Sequence, residues 1–320
     1  MVELNGKKIL VTFLMHLGDL TLTTPFIHAL RKAAPDAHIT MLVDEKLKDV
    51  VLFNPYLDEV VTIDKKGRDN SILSLWACSR HLSKLDFDVL INLHPNERCS
   101  FIDAMTSVKL RTGTTHKIFK WFWDVFTPLD RSMHAADMYL DVLQQLGVQD
   151  LSNNGLEIFP GEEHFLEAEL FWQEQNITDQ DKLIGFNIGS AVPTKRWPPE
   201  RFAEVADIFA AKGYKTVFFG GPMDEEMVAE ATGYMQTRPI IATGHFAIGG
   251  LAAAMRRCCL IITNDSGPMH VAISQKVPIV AMYGPSNPKL YGPYTKDAVI
   301  VTAQPPCQGC ADGMKHSCDD

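Results

Sequence analysis

The segment TNDSGPMHVA, residues 263–272, brings together residue types that bind anions and hydroxyl groups. It follows the apolar run LII, so it lies where a predicted strand gives way to a helix. Backbone N–H groups at a helix N-terminus bind anions, and Ser266 and Gly267 allow a ligand to approach them closely. Asp265 can accept hydrogen bonds from hydroxyls, and His270 lies one turn into the helix. A purely structural turn accounts poorly for this combination, and we expect a binding site here.

A second loop of this kind is GFNIGSAVPTKRWPPERF, residues 185–202. It also follows a predicted strand and precedes a helix, which Pro198 and Pro199 help to start. Gly189 and Ser190 can form an anion-binding loop, and Lys195 can add a full positive charge to it. The arrangement suits a diphosphate, and the alternative is a polar loop that carries a lysine by chance.

Two further strand ends carry acidic residues. The loop GGPMDEEMVAE presents Asp224, Glu225 and Glu226 at a helix start, where one of them can bind ribose hydroxyls or simply favour the helix dipole. Near the N-terminus, MHLGDLTLTTPF places Gly18 at a predicted tight turn and Asp19 at a predicted helix cap. The dinucleotide fingerprint G-x-G-x-x-G is absent from both halves, which argues against an NAD or FAD enzyme.

Short apolar runs alternate with segments of helical periodicity along the whole chain. This alternation is typical of parallel sheets that are covered by helices on both faces. The predicted strands are KILVTFL, HITMLV, EVVTI and FDVLINL in the first half and KLIGFNIGS, KTVFFGG, PIIAT, LIITNDS and VPIVAMYG in the second. The stretch DLSNNGLEIFPG loses helical periodicity and gains turn residues, so we place the domain boundary there. The fold class is therefore α/β, with two doubly wound domains in tandem, residues 1–155 and 156–320.

Composition narrows the class of protein. A chain of 320 residues that is 46% hydrophobic can bury two large cores. We find neither a membrane-length apolar run nor a signal peptide, and the seven cysteines lack the spacing of a disulfide framework. The sequence therefore predicts a cytoplasmic protein with reduced thiols. The net charge of −9 resides mainly in the C-terminal half, which makes nucleic acid an unsuitable partner.

The motifs LGDLTLTTPF, TKRWPPERF, NDSGPMH and VPIVAMYGPSNPKLYGP resemble those of glycosyltransferase family 9, the ADP-heptose:lipopolysaccharide heptosyltransferases. The resemblance extends over essentially the whole chain. It implies a GT-B architecture, in which two Rossmann-like domains face each other across a cleft. Residues 1–155 would then bind the acceptor, and residues 156–320 would bind the nucleotide sugar.

The resemblance also implies roles for individual residues. Asp19 would be the general base that deprotonates the acceptor hydroxyl. Gly18, next to it, would contact the substrate. Lys195 would support the departing diphosphate. The other implied donor contacts are Ser190 at the diphosphate, Glu225 at the ribose, Phe246 at the adenine, and Asp265, Ser266, Gly267 and His270 at the phosphate and heptose hydroxyls. Ser190 stands where a threonine is familiar in the family, and Phe246 where a methionine is.

The implied reaction is an inverting sugar transfer. An oxocarbenium-like centre forms while the leaving diphosphate gains charge, and a base activates the nucleophile on the opposite face of the sugar. Lysine and helix dipoles can take the place of a cation. We therefore expect ADP-heptose as the donor, a lipid-linked core oligosaccharide as the acceptor, and no metal or other cofactor.

The segment KLRTGTTHKIFKWFW, residues 109–123, combines basic and aromatic residues without acids. It suits either peripheral contact with an anionic lipid surface at the inner face of the cell membrane or ordinary core packing of Phe119, Trp121, Phe122 and Trp123. His134 either borders the acceptor site or caps a helix. In the tail CQGCADGMKHSCDD, the spacing of Cys307, Cys310, His316 and Cys318 matches structural zinc sites poorly.

Two other functions stay open on sequence grounds. A GT-B transferase for a protein acceptor or for another nucleotide sugar would keep the C-terminal motifs and differ in the N-terminal loops. A non-catalytic protein that binds a nucleotide sugar would keep NDSGPMH but would have no need of Asp19.

Overall fold

The computed structural model describes residues 2–302. The chain divides into two compact units, one that ends at Gly155 and one that begins at Leu156. Each unit contains one sheet of six parallel strands with helices around it. The α/β fold class with doubly wound sheets, expected from the sequence, is confirmed.

The first unit is built on the sheet β3-β2-β1-β4-β5-β6. Its strands are β1 Lys8–Thr12, β2 His38–Asp44, β3 Glu59–Ile63, β4 Phe87–Asn92, β5 Val108–Gly113 and β6 Val125–Phe126. Its helices are α1 Leu17–Thr21, α2 Thr24–Ala33, α3 Ile72–Ser83, α4 Glu97–Met105 and α5 Ala135–Gln145, with 3₁₀ turns at Glu45–Val50 and Lys117–Phe122.

The second unit is built on the sheet β12-β11-β10-β7-β8-β9. Its strands are β7 Leu183–Asn187, β8 Lys215–Phe219, β9 Ile240–Ile241, β10 Cys258–Asn264, β11 Ile279–Tyr283 and β12 Ala298–Thr302. Its helices are α6 Glu162–Glu174, α7 Pro199–Ala211, α8 Glu225–Tyr234, α9 Ile248–Met255, α10 Gly267–Ser274 and α11 Pro288–Tyr291, with 3₁₀ turns at Pro193–Lys195 and Pro222–Asp224.

The central strands are buried along most of their length because helices cover both faces of each sheet. In β7, all five residues are buried, and the rings of Phe186 and Phe218 stack across β7 and β8 with centroids 5.2 Å apart. In the first unit, Leu10 and Leu90 of adjacent strands pack with Phe87 in one buried cluster. The central strand ends are thereby held rigidly in place.

The two sheets share one strand order. The chain order reverses between β1 and β4 in the first sheet and between β7 and β10 in the second. In open α/β sheets, ligands bind beyond the carboxyl ends of the strands at such a reversal. The loops that follow these four strands are therefore the places to look for chemistry.

None of the helices within residues 2–302 has the length and apolar character that a membrane span requires.

Candidate active site

The ends of β7 and β10 are joined by a buried asparagine. Asn187 Nδ2 donates to Thr263 Oγ1 at 3.0 Å and to Ser266 Oγ at 2.9 Å. Asn264 makes the reciprocal link, since its Nδ2 donates to Ile188 O at 2.7 Å. Its Oδ1 accepts a hydrogen bond from Trp197 N at 3.0 Å. These bonds bring the two loops that the sequence singles out, 185–202 and 263–272, into one arrangement.

Lys195 and Asp265 form an ion pair at the centre of this arrangement. Lys195 Nζ lies 2.7 Å from Asp265 Oδ2, and the two side chains are only 16% and 6% exposed. Asp265 is itself fixed by its backbone N–H, which donates to Met282 O in β11 at 3.2 Å. The two charged residues that the sequence analysis assigns to donor binding are therefore in direct contact, although they lie 70 residues apart in the sequence.

The helix α10 begins beside this pair. Ser266 is its N-cap residue in an extended conformation, and its hydroxyl makes no capping hydrogen bond to the helix. Gly267 is the first helical residue, and His270 is buried one turn later, as the sequence predicts. The N–H groups of the first turn, which have no partners within a helix, can therefore bind an anion.

Tyr283 at the end of β11 is a member of the site that the sequence reasoning missed. Its side chain is buried, and its hydroxyl donates to Tyr291 O at 3.0 Å. Burial, and then the nearby Asp265 carboxylate, raise the pKa of the Tyr283 phenol well above its usual value. The phenol thus stays protonated beside Asp265. The only signal in the sequence is a tyrosine at the end of an apolar strand, which is also what core packing looks like.

The loop that carries Ser190 is tightly constrained. Ser190 is buried, its Oγ accepts from Val192 N at 3.3 Å, and Arg196 Nε donates to its carbonyl oxygen at 2.8 Å. Gly189 lies against the β8–α8 turn, because a Cβ at this glycine would be 2.2 Å from Asp224 Oδ1. Only glycine fits this approach without displacing the carboxylate.

The three acids of the β8–α8 turn differ in their surroundings. Asp224 is occupied within the turn, where its Oδ2 accepts from Gly221 N at 2.9 Å. Glu225 is the exposed first residue of α8, and its carboxylate lies against Gly244, whose Cβ position is 2.8 Å from Glu225 Oε1. Two residues after Gly244, the half-buried ring of Phe246 packs against Phe171 with centroids 5.1 Å apart. Glu225 and Phe246 therefore belong to adjoining loops at the end of β8 and β9.

In the first unit, Gly18 and Asp19 lie inside the short helix α1. The predictions of a tight turn at Gly18 and a cap at Asp19 are wrong, because the helix is capped three residues earlier. His16 is the N-cap, and its carbonyl accepts from Leu20 N at 2.9 Å. Asp19 is a half-buried residue of the first turn, where a negative charge is favoured by the helix dipole.

Comparison with known proteins places the chain in a family. The family model of Glycosyltransferase family 9 (heptosyltransferase) matches residues 75–317. The chain belongs to glycosyltransferase family 9. It is therefore a glycosyltransferase, as expected from the motifs.

Similar proteins support the same assignment. A solved glycosyl transferase family 9 structure from Veillonella parvula is 57% identical, with a TM-score of 0.93 over 95% of this chain and 89% of that chain. Lipopolysaccharide heptosyltransferase 3 of Escherichia coli K12 is 24% identical over 297 residues, which cover 88% of this chain and 84% of the relative. The structure of E. coli ADP-heptose lps heptosyltransferase II is 23% identical, with a TM-score of 0.79 over 92% of this chain and 90% of that chain. The GT-B fold class is confirmed.

In this glycosyltransferase, the basic and aromatic segment 109–123 divides into two parts. Trp123 is buried, and its indole N–H donates to Thr112 O at 3.0 Å. Trp121, by contrast, is 78% exposed on the 3₁₀ turn Lys117–Phe122, and Ile118 on the same turn is also exposed. Core packing therefore explains Trp123 but leaves Trp121 unexplained. His134 caps α5, since its Nδ1 accepts from Ala136 N at 3.2 Å.

No group of three histidine, cysteine or acidic residues within residues 2–302 is arranged to hold a metal ion. The candidate ligands Cys307, Cys310, His316 and Cys318 lie outside the described residues.

Proposed function

We propose that this glycosyltransferase transfers heptose from ADP-heptose to an acceptor of the lipopolysaccharide inner core, with inversion at the anomeric carbon. The names of the relatives support both substrates, since they include a lipopolysaccharide heptosyltransferase and an ADP-heptose lps heptosyltransferase. The observation that carries the proposal is the Lys195 ammonium beside the start of α10, at the strand reversal of the second sheet.

The diphosphate is the part of the donor that this site suits best. An ammonium group has three N–H donors, and within residues 2–302 Lys195 has an ion pair only with Asp265. Its remaining donors, together with the first-turn N–H groups of α10 and the Ser190 loop, can stabilise the charge that develops on the leaving diphosphate. In this proposal no metal or other cofactor is needed, because protein groups supply the positive potential.

The remaining donor contacts follow from the neighbouring loops. Asp265 and His270 would bind heptose hydroxyls, with Ser266 and Gly267 lining the phosphate. Glu225 is better suited to the ribose than Asp224, whose carboxylate is already occupied by Gly221 N. Phe246 offers an apolar ring for the adenine. The second unit would therefore bind the nucleotide sugar and the first unit the acceptor.

Asp19 would act as the general base. Inverting transfer needs one carboxylate that removes the proton from the acceptor hydroxyl as the bond to the diphosphate breaks. Asp19 is an acid of α1, directly beyond the carboxyl end of β1 at the strand reversal of the first sheet. Gly18 precedes it in α1 and would line the acceptor site.

The test is the variant Asp19→Asn, which keeps the size of the side chain and removes the base. We expect the initial rate with a core acceptor to fall by about 10²- to 10⁴-fold, because that is the usual contribution of a positioned base. Calorimetric binding of ADP should not change, because the nucleotide would bind to the other unit. Asp36→Asn, an exposed acid between α2 and β2, is the matched control and should keep the wild-type rate. A rate within a few-fold of wild type in Asp19→Asn would assign the base to another residue.

A donor panel separates the proposal from its alternatives. The panel consists of labelled ADP-heptose, UDP-glucose and GDP-mannose. We expect the protein to bind and turn over ADP-heptose and neither of the other two. Turnover with a different nucleotide sugar would favour another GT-B transferase. Transfer to protein instead of core oligosaccharide would change the acceptor class. Binding without transfer to any acceptor would favour the non-catalytic alternative.

The acceptor is lipid-linked in this proposal, and we propose that the 3₁₀ turn Lys117–Phe122 contacts the membrane surface that carries it. Trp121 and Ile118 are exposed, and Lys117 and Lys120 flank them on the same turn. Interfacial tryptophans beside lysines favour anionic lipid surfaces. Co-sedimentation with phosphatidylglycerol vesicles should fall in Trp121→Ser relative to wild type, and phosphatidylcholine vesicles should bind neither. Equal binding of the two proteins to both vesicle types would contradict the contact.

A further inference from the structure

Lys65 lies beneath the loop that connects β1 to α1. Its Nζ donates to the carbonyl oxygens of Leu14 at 2.7 Å and Met15 at 2.8 Å. The third partner is Asp44 at the end of β2, whose Oδ2 is 3.1 Å from Lys65 Nζ. The lysine and aspartate side chains are 11% and 6% exposed. A lysine just after β3 therefore holds a loop that precedes it by about fifty residues.

All the donors of this ammonium group are used within the first unit. Lysine has three N–H donors, and here two of them meet backbone carbonyls while the third faces a carboxylate. The Asp44 carboxylate is likewise occupied, because its Oδ1 accepts from Lys46 N at 3.1 Å. Such an arrangement leaves no donor for a substrate. Its effect is to fix the backbone on which α1 begins.

The buried residues of helix α1, Leu20 and Thr21, lie in its C-terminal part. The helix contains five residues, and the N-cap His16 makes no side-chain capping hydrogen bond. A helix of little more than one turn is unstable by itself and depends on its surroundings. The loop of Leu14 and Met15 is covalently continuous with this helix. Fixing the two carbonyls therefore fixes the first turn, which contains Asp19.

Lys65 is in turn held from the other side. Arg98, at the start of α4, donates through Nη1 to the carbonyl oxygen of Lys65. Its Nη2 donates to Asn70 Oδ1 at 2.6 Å. The chain of contacts runs from α4 through Arg98 and Lys65 to the β1–α1 loop.

We propose that Lys65 is a positioning residue for the acceptor-activating step, and that it acts by holding the β1–α1 loop so that Asp19 is presented at the end of β1. The inference rests on the proposed role of Asp19 as the general base. It assigns to Lys65 no contact with donor, acceptor or reacting atoms. Loss of Lys65 should therefore lower kcat while the KM for the nucleotide sugar and the binding of ADP stay unchanged.

The principal variants are Lys65→Met, which removes the ammonium group, and Lys65→Met with Asp44→Asn, which removes both buried charges. We expect kcat to fall by about 10- to 100-fold in each, since small misplacements of a catalytic group have effects of this size. Lys65→Arg, which keeps the charge and several donors, should recover part of the rate. Lys84→Met is the matched control, because Lys84 is an exposed lysine at the C-terminal end of α3.

Amide hydrogen exchange gives a readout that does not depend on turnover. Residues 16–22 should exchange faster in the Lys65 variants than in wild type or Lys84→Met, while exchange in the second unit stays unchanged. The His94 imidazole is a second reporter, since its pKa is lowered to about 4 by burial and by the charges of Lys65 and His16. Its NMR titration should move to higher pH in Lys65→Met.

The outcomes separate this inference from the proposed function. A wild-type protein that transfers no heptose refutes the function, yet faster exchange of residues 16–22 in the variant would still support the loop-holding role. A folded double variant with kcat within threefold of wild type overturns the positioning role. If both Lys65→Met variants fail to fold, Arg98→Met decides, because it leaves the buried ion pair in place. In Arg98→Met we expect kcat to fall by about 3- to 10-fold and residues 16–22 to exchange faster than in wild type. A wild-type kcat together with wild-type exchange would overturn the inference.

Discussion

Each unit of the chain contains one nearly buried lysine paired with an aspartate at the carboxyl edge of its sheet, and the two pairs differ in what surrounds the ammonium group. Lys65 has two backbone carbonyls in addition to Asp44. Lys195 has, within residues 2–302, an ion pair with Asp265 alone. The first ammonium group is fully occupied by the protein, and the second keeps donors for a ligand.

The difference gives a way to distinguish a structural buried charge from one for which we propose a function. Taking an ammonium group out of water is costly unless its donors are satisfied. Lys65 meets this requirement through the fold, so its contribution is to stability and position. Lys195 meets it only in part, and a diphosphate would complete it. The number of unsatisfied N–H donors of a buried lysine therefore says more about its role than its burial or its ion pair does.

The largest effect is expected for Lys195→Met. Turnover should fall by about a hundredfold or more, since in the proposed mechanism the charge on the leaving diphosphate would lose its main electrostatic support. ADP binding should weaken as well, whereas amide exchange of residues 16–22 should not change. That pattern is the reverse of the one expected for Lys65→Met. If the two variants gave the same kinetic and exchange profiles, the distinction between the pairs would be lost.

The next effect is expected for Gly189→Ala. The new methyl group would lie 2.2 Å from Asp224 Oδ1, so the carboxylate, whose Oδ2 accepts from Gly221 N, must shift. We expect a loss of about 1–2 kcal/mol in the free energy of unfolding and a KM for the donor that rises by about tenfold. Gly233→Ala is the control, because a Cβ at this site in α8 meets nothing within 4 Å. It should be neutral or slightly stabilising. Equal behaviour of the two variants would show that the loops adjust freely.

A pH dependence should be specific to the first unit. Burial raises the pKa of Asp103 to about 8, although Thr12 Oγ1 donates to it at 2.8 Å. The folded state thus keeps a proton that the unfolded chain has lost, so this contribution to stability declines as the pH rises from about 4 to 8. The pKa of His94 is lowered to about 4, which destabilises the fold as the pH falls below 6.5. Between pH 4 and 6.5 the two slopes oppose each other.

Of these two groups, only Asp103 changes the stability above pH 6.5. The free energy of unfolding of the first unit should fall by roughly 1 kcal/mol per pH unit between 6.5 and 8, as measured by urea denaturation. In Asp103→Asn this decline should disappear. A wild-type protein that is equally stable at both pH values would indicate that Asp103 is ionised in the fold.

The smallest effect is expected for Tyr283→Phe. The hydroxyl donates to Tyr291 O and lies beside Asp265, but it would not touch the diphosphate. One hydrogen bond of this kind contributes about 1 kcal/mol, so kcat/KM should fall by roughly fivefold with little change in ADP binding. A loss as large as that of Lys195→Met would make Tyr283 a direct participant in the reaction.

Most of the architecture could be predicted from the sequence because it depends on local patterns. All nine apolar runs assigned to strands form strands, and the helix expected after the strand LII is α10, which begins at Gly267. Strands β5, β6 and β12 were not recognised, since β6 has only two residues and the exposed and charged positions of β5 and β12 obscure the pattern of a buried strand. Strand order and the position of the reversal emerge only from pairing over long distances along the chain.

The site could be predicted only in its list of residues. The motifs identify Lys195 and Asp265, but their ion pair joins loops 70 residues apart and leaves no local signal. Tyr283 and Lys65 were missed for the same reason, since a strand-end tyrosine and a loop lysine are common. The cap predicted at Asp19 was wrong because α1 begins earlier, with His16 as its N-cap, and the contacts of Lys65 with the preceding loop leave no signal in the local sequence. Site roles for the motif residues stay predictions.

The contrast between Trp121 and Trp123 has an optical consequence. Of the five tryptophans, Trp121 is 78% exposed and Trp123 only 8%. An indole in water emits at longer wavelength than one in an apolar environment, so these neighbours differ as fluorophores. Trp121, together with Trp76, which is 52% exposed, should emit at the red edge of the spectrum and be readily quenched by iodide, whereas Trp123 should be shielded. Binding of any surface that covers the 3₁₀ turn Lys117–Phe122 should therefore shift the tryptophan emission to shorter wavelength and reduce its quenching by iodide. No added label is needed to detect it.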